Sequence, residues 1–81
     1  MYTQMEWLDI FSTNLQELMR DRELTQDALA RKAHLSQPAI SAYIRCARIP
    51  SVPSLVNLCY ALDCDMSELC DFGDMVDASR T

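Results

Sequence analysis

Apolar residues recur along this chain at helical spacing, in short runs broken by polar residues. Leu8, Phe11, Leu15 and Leu18 mark one face of a first segment, and Leu55, Leu58, Cys59 and Leu62 one face of a later one. Helix starts follow from residues whose side-chain oxygen can accept an otherwise unpaired first-turn N–H. Thr3 with Glu6 has the spacing of a capping box, with Tyr2 and Trp7 as a hydrophobic staple, and the helix it opens is expected to run to about Asp21. Thr25 caps a second, short helix, stapled by Leu24 and Leu29. Ser36 caps a third, stapled by Leu35 and Ile40, with Pro38 tolerated in the first turn. Ser51 caps a fourth, with Pro53 again early. Asp65 with Glu68 reads as a second capping box, opening a short fifth helix through Leu69.

Five short helices joined by short loops predict an all-α bundle. Neither an internal repeat nor a dividing linker is present, so residues 1–81 are expected to form a single domain. Phe72, Met75 and Val76 have helical spacing, but the aspartates of segment 71–81 equally suit a solvated acidic tail. A hydrophobic content of 49% with 23% charged residues excludes a disordered chain, and a single glycine disfavours a fold rich in tight β-turns. No apolar run approaches the roughly 18 residues of a membrane span, and MYTQMEWLDI does not read as a signal peptide. A cytoplasmic location is expected.

The net charge of −5 opposes nucleic-acid binding if taken globally, but the charges are unevenly placed. Residues 1–19 carry Glu6, Asp9 and Glu17. Residues 20–48 carry six bases (Arg20, Arg22, Arg31, Lys32, Arg45, Arg48) against three acids, and residues 49–81 hold six acids against Arg80. A basic island of +3 therefore lies between acidic ends.

That island contains TQDALARKAHLSQPAISAYI, Thr25 to Ile44. Its two N-caps stand eleven residues apart, Ala30 falls where two helices approach closely, and Leu35 and Ile40 pin the connection. This is the pattern of two helices joined by a tight turn, the second free to enter a DNA major groove. The sequence resembles the Cro/repressor-type helix-turn-helix family, also called XRE-like, of bacterial and phage transcriptional regulators. The resemblance spans about residues 11 to 70. It rests on LTQDALA (24–30), LSQPAIS (35–41), the Arg-x-x-Arg-x-Pro stretch Arg45 to Pro50, SLVNLCYAL (54–62) and MSEL (66–69).

The resemblance implies a compact five-helix bundle of the λ-repressor-like DNA-binding type, its second and third helices forming the DNA-binding unit over a core of 11–70. The start of the first helix is expected to extend this core slightly, and the second domain that many relatives use for ligand sensing is not expected. Gln26 takes the position of a phosphate-touching glutamine, Gln37, Pro38, Ser41 and Ala42 the base-facing positions, and Arg45 and Arg48 the backbone-contacting ones. The chemistry agrees. Gln37 can pair with N6 and N7 of adenine, a contact worth about 1–3 kcal/mol of discrimination. Ala42 and Pro38 offer apolar contact to a thymine methyl, and the arginines suit phosphate or guanine. First-turn N–H groups, such as those beside Ser36, can hold phosphates. Outside this pattern Gln37 and Ser41 would read as residues of a solvated face; Arg20, Arg22, Arg31 and Lys32 are read that way.

Three departures from the family pattern carry expectations. Met19 and Ile44 stand where relatives often have an internal arginine–glutamate pair, so these two are expected to meet. His34 and Cys46 stand where glycine is usual, so both are expected in a left-handed conformation, under slight strain at His34, since histidine tolerates positive φ, and at about 1 kcal/mol or more at Cys46.

Cys46, Cys59, Cys64 and Cys70 are spaced x12, x4 and x5, with no C-x2-C pair and one histidine, which fits buried free thiols better than a zinc site, Cys46 and Cys70 being less clearly buried than Cys59 and Cys64. His34 has neither a nucleophile nor a phosphate loop to serve, so neither enzyme activity nor a cofactor is expected. The reading is a DNA-binding regulator, a repressor acting as a homodimer on a palindromic operator, with apolar residues before Phe11 and from Met66 to Val76 as dimer surfaces. The alternative is a protein-interaction module on the same fold, an antitoxin or adaptor, suggested by the acidic ends.

Overall fold

The computed structural model describes residues 2–70; the expectations placed on segment 71–81 lie outside them. Five helices follow in order: α1 (Gln4–Asp21), α2 (Gln26–Ala33), α3 (Gln37–Ile44), α4 (Val52–Leu62) and α5 (Met66–Leu69), with no strand among the described residues. Four caps form as the sequence predicts. Thr3 Oγ1 accepts the Glu6 N–H at 3.1 Å while Glu6 Oε1 accepts the Thr3 N–H at 2.9 Å, closing the capping box. Those bonds hold the Glu6 carboxyl below the usual carboxylate range. Thr25, Ser36 and Ser51 accept from Ala28, Ala39 and Ser54 at 3.1, 3.2 and 3.2 Å. The box expected at α5 does not form. Asp65 makes no side-chain cap bond, and the Glu68 carboxylate lies 3.9 Å from the Arg22 guanidinium instead. A nearby cation competes with the cap for this acid.

The helix ends explain how a chain with so little glycine turns. Glu23, His34, Cys46 and Asp63 all have φ between 52° and 59°. After each, the next residue's N–H returns to a carbonyl five residues earlier: Leu24 to Met19, Leu35 to Ala30, Ala47 to Ala42 and Cys64 to Cys59, at 2.8–3.0 Å. These are Schellman closures. His34 and Cys46 behave as expected, and Glu23 and Asp63 do the same unforeseen.

α2 packs against α3 and α4, α1 against α3 and α5, and α4 against α5. Phe11, Leu15, Leu29, Ile40, Leu58, Leu62 and Leu69 are fully buried where they meet. Met19 is buried in this core and Ile44 half-buried against it, and both line one surface hollow.

Polar groups of α1 also satisfy the open carbonyl ends of three other helices. Ser12 Oγ donates to Ile44 O at 2.6 Å, Asn14 Nδ2 to Leu69 O at 3.0 Å, and Arg22, the residue capping α1, donates from Nε to Leu62 O. Arg22 is thus a half-buried brace at the end of α4, not the solvated residue its sequence position suggests. Its positive charge also suits a helix C-terminus. Ser12 is only 3% exposed. Ser12→Ala is therefore expected to cost about 1–3 kcal/mol by stranding the Ile44 carbonyl. Urea unfolding checks this: the midpoint should fall with the slope unchanged.

Candidate nucleic-acid interface

α3 is eight residues long and buries Ala39, Ile40, Ala42 and Tyr43. At 100° per residue, Gln37, Ser41 and Arg45 fall in one line along the opposite side, with Pro38 beside it. Gln37, Pro38 and Arg45 are exposed and Ser41 is half-buried. Arg45 Nε donates to Ser41 Oγ at 3.3 Å, so the end of this line is tied to its middle. Arg48 is exposed just beyond. Ala42 is only 7% exposed, so little of its surface is open to a base edge.

The start of the line is also held. Gln37 Nε2 donates to Gln26 Oε1 at 3.1 Å, joining the first residue of α3 to the first of α2. This bond fixes the Gln37 amide and leaves its Oε1 and a second N–H for an outside partner. Ser36 Oγ accepts the Ala39 N–H, and its own hydroxyl hydrogen stays available as a donor.

Two residues join this site that sequence reasoning passed over. Gln16 and Arg20, one turn apart on α1, line the same hollow of about 300 Å³ as Gln26, Met19, Leu24 and Ile44. Arg20 thereby brings a guanidinium to the Gln26 side of α3. Its membership of the basic island was the one available signal; its placement depends on how α1 crosses α2. On α2, Asp27 is paired with Arg31 at 3.0 Å, which offsets the acid next to Gln26. Exposed His34 supplies the left-handed turn between α2 and α3.

The four cysteines are free and half-buried. Cys46 Sγ lies 3.6 Å from Leu8 O and 3.4 Å from Asp9 Oδ1, and burial pushes its thiol up. Burial also raises Cys59, Cys64 and Cys70, and takes Cys64 to about 12. A raised thiol holds less of the reactive thiolate, which slows oxidation. Among the described residues no group of three or more His, Cys, Asp or Glu is arranged to hold a metal ion, and no helix is long and apolar enough to cross a membrane.

A short helix carried by its neighbours behind a tight left-handed turn, with an exposed polar line that begins at a buttressed glutamine, defines a helix-turn-helix protein. Residues 14–74 match the family model described as the Cro/C1-type HTH DNA-binding domain, and the chain belongs to that family. The family is one of DNA-binding transcription regulators, not of enzymes. Among curated proteins the chain is 33% identical over 60 residues to YqaE of Bacillus subtilis (strain 168), an uncharacterized HTH-type transcriptional regulator. That match covers 74% of this chain and 52% of YqaE, so the chain spans about half the length of this relative. The crystal structure of the restriction-modification controller protein C.AhdI from Aeromonas hydrophila is similar, with a TM-score of 0.74 and 31% identity over 76% of this chain and 94% of that one. An HTH_3 family transcriptional regulator from Vibrio cholerae has the same fold at a TM-score of 0.85 and 19% identity, covering 95% of this chain and 43% of its own.

Proposed function

We propose that the chain binds double-stranded DNA sequence-specifically as a transcriptional repressor in the bacterial cytoplasm, two copies occupying a palindromic operator. The hydrogen bond between Gln37 and Gln26 carries this reading. It orients an exposed amide at the start of α3, where a helix entering the major groove meets base edges. Gln37 reads adenine, Ser41 and Pro38 fill the groove beside it, and Gln26, Ser36, Arg45 and Arg48 hold the backbone, with Arg20 added on the α1 side. One glutamine is a sparse reading head, so two half-sites related by a two-fold axis supply the discrimination one cannot. Repression needs only that the operator be occupied. Residues 11–70 form the DNA-binding core, and the start of α1 extends it.

The test is the salt dependence of binding to a duplex. Each neutralised phosphate contributes about 0.9 to the slope of log K against log salt. Arg48→Gln is expected to flatten the slope by about 1 per subunit while leaving sequence preference intact. A slope equal to that of the unaltered chain would remove Arg48 from the interface. Binding that is indifferent to salt would remove the DNA reading itself.

A further inference from the structure

We propose that Cys59 and Cys64 form a reversible dithiol–disulfide pair at the end of α4, closed by exchange with a small cationic disulfide.

The backbone places the pair. The left-handed closures of this chain each join a residue to the one five positions earlier, and residues so joined ordinarily set side chain against side chain. At α1, α2 and α3 the two are apolar: Met19 with Leu24, Ala30 with Leu35, Ala42 with Ala47. At α4 they are two thiols. The Cys64 N–H donates to Cys59 O at 3.0 Å, the Asp63 N–H to Tyr60 O at 3.2 Å, and Asp63 takes the left-handed turn at φ 52°. A disulfide needs α-carbons about 4.4–6.8 Å apart, and a direct backbone bond between two residues brings theirs into that reach.

The side chains agree. Cys59 and Cys64 lie close enough for the Cys64 S–H to donate to Cys59 Sγ. Both are half-buried against the core, and both line one hollow of about 300 Å³. The other two thiols have different neighbours: Cys46 Sγ sits beside Leu8 O and Asp9, and Cys70 Sγ lies 3.9 Å from Met66 Sδ.

The contact between the thiols also orders the chemistry. Burial raises both, but the donated hydrogen favours the Cys59 thiolate while Cys64 is held up at about 12, so Cys59 is the attacking sulfur. Its thiolate attacks one sulfur of the small disulfide, and the first small thiolate leaves and takes up a proton. Cys64 then gives its proton to solvent and attacks Cys59 Sγ, which expels the second small thiolate. Two electrons pass from the cysteines to the reagent, which departs as two thiols, and an excess of small thiol runs the exchange backward.

The hollow selects the reagent. Asp63, Asp65 and Glu68 line it with the two sulfurs, and the Arg22 guanidinium, 3.9 Å from Glu68, offsets one of the three charges. A wall of that sign draws in a cationic disulfide and repels an anionic one.

Cystamine, a dicationic disulfide, added to the reduced, folded full chain tests this, with mass spectrometry and peptide mapping as the readout. The expected product has the parent mass less two hydrogens and a Cys59–Cys64 link that dithiothreitol reopens. Cys64→Ser is expected to stop at the mixed disulfide, one cysteamine unit heavier at Cys59. A parent that stays reduced, that keeps separate adducts on the two cysteines, or that links Cys46 or Cys70 instead would overturn the pair. At low salt cystamine should react about tenfold faster than the dianion dithiodipropionate, a preference that fades at high salt. Equal rates would overturn the cationic class. Asp65→Asn should narrow the preference more than Glu6→Gln, which changes the net charge equally at the far end of α1. Equal narrowing by the two would overturn the hollow as the selecting feature.

Discussion

Phe11→Ala is expected to lower the melting temperature by about 15–30 °C, more than any other single truncation considered for this chain. Phe11 is fully buried and stacks on Trp7 at 5.1 Å between ring centroids, while its edge meets Tyr43 at 6.0 Å and 74°. It therefore joins the start of α1 to the inner face of α3, the helix that carries the reading line. Removing a buried phenylalanine ring costs about 3–5 kcal/mol, to which two lost aromatic contacts contribute. A chain of 81 residues has roughly 4–12 kcal/mol of stability in all, and each kcal/mol is worth about 4–8 °C at this size. Thermal melting followed by circular dichroism measures the effect. A shift below about 5 °C would mean that α1 and α3 are held together chiefly by other contacts.

Gln37→Ala is expected to relax base preference by roughly 10- to 100-fold per half-site, the value of one bidentate amide–adenine contact. Non-specific affinity and the salt slope should not change, because glutamine carries no charge. Gln26→Ala should produce a smaller relaxation with the same signature: it removes the acceptor that orients Gln37 but leaves the reading amide in place. Competition between the preferred duplex and its single-base variants separates these effects. If the two variants weaken all duplexes equally, both glutamines only position the protein on the backbone.

The parts of this fold that were legible in the sequence are those governed by a few adjacent residues. Thr3, Thr25, Ser36 and Ser51 each cap a helix through an N–H three residues on, and such bonds need nothing from the rest of the chain. The left-handed turns at His34 and Cys46 were readable for the same reason. At Asp65 the side-chain cap is replaced: the Glu68 N–H bonds the Asp65 backbone carbonyl at 3.0 Å, and the Glu68 carboxylate lies beside Arg22, distant in sequence. Arg20 and Arg22 look alike in the sequence. Yet one lines the hollow beside Gln26 and the other braces the end of α4, a difference set by the direction in which α1 leaves the bundle.

The candidate interface follows the same division. The line through Gln37, Ser41 and Arg45 comes from helical spacing, whereas the burial of Ala42 depends on how closely α3 is packed against its neighbours. Trp7, read as packing at the start of the first helix, is half-buried and stacked on Phe11.

Selection of bound duplexes from a random pool, run for the parent chain beside Gln37→Ala, tests the central claim most directly. The expected result is a palindromic sequence with half-sites about one helical turn apart, roughly 10 base pairs, and an adenine preference in each half-site that fades in the variant. Failure of the parent chain to enrich any sequence at low salt would contradict it, and would favour a protein partner for this fold.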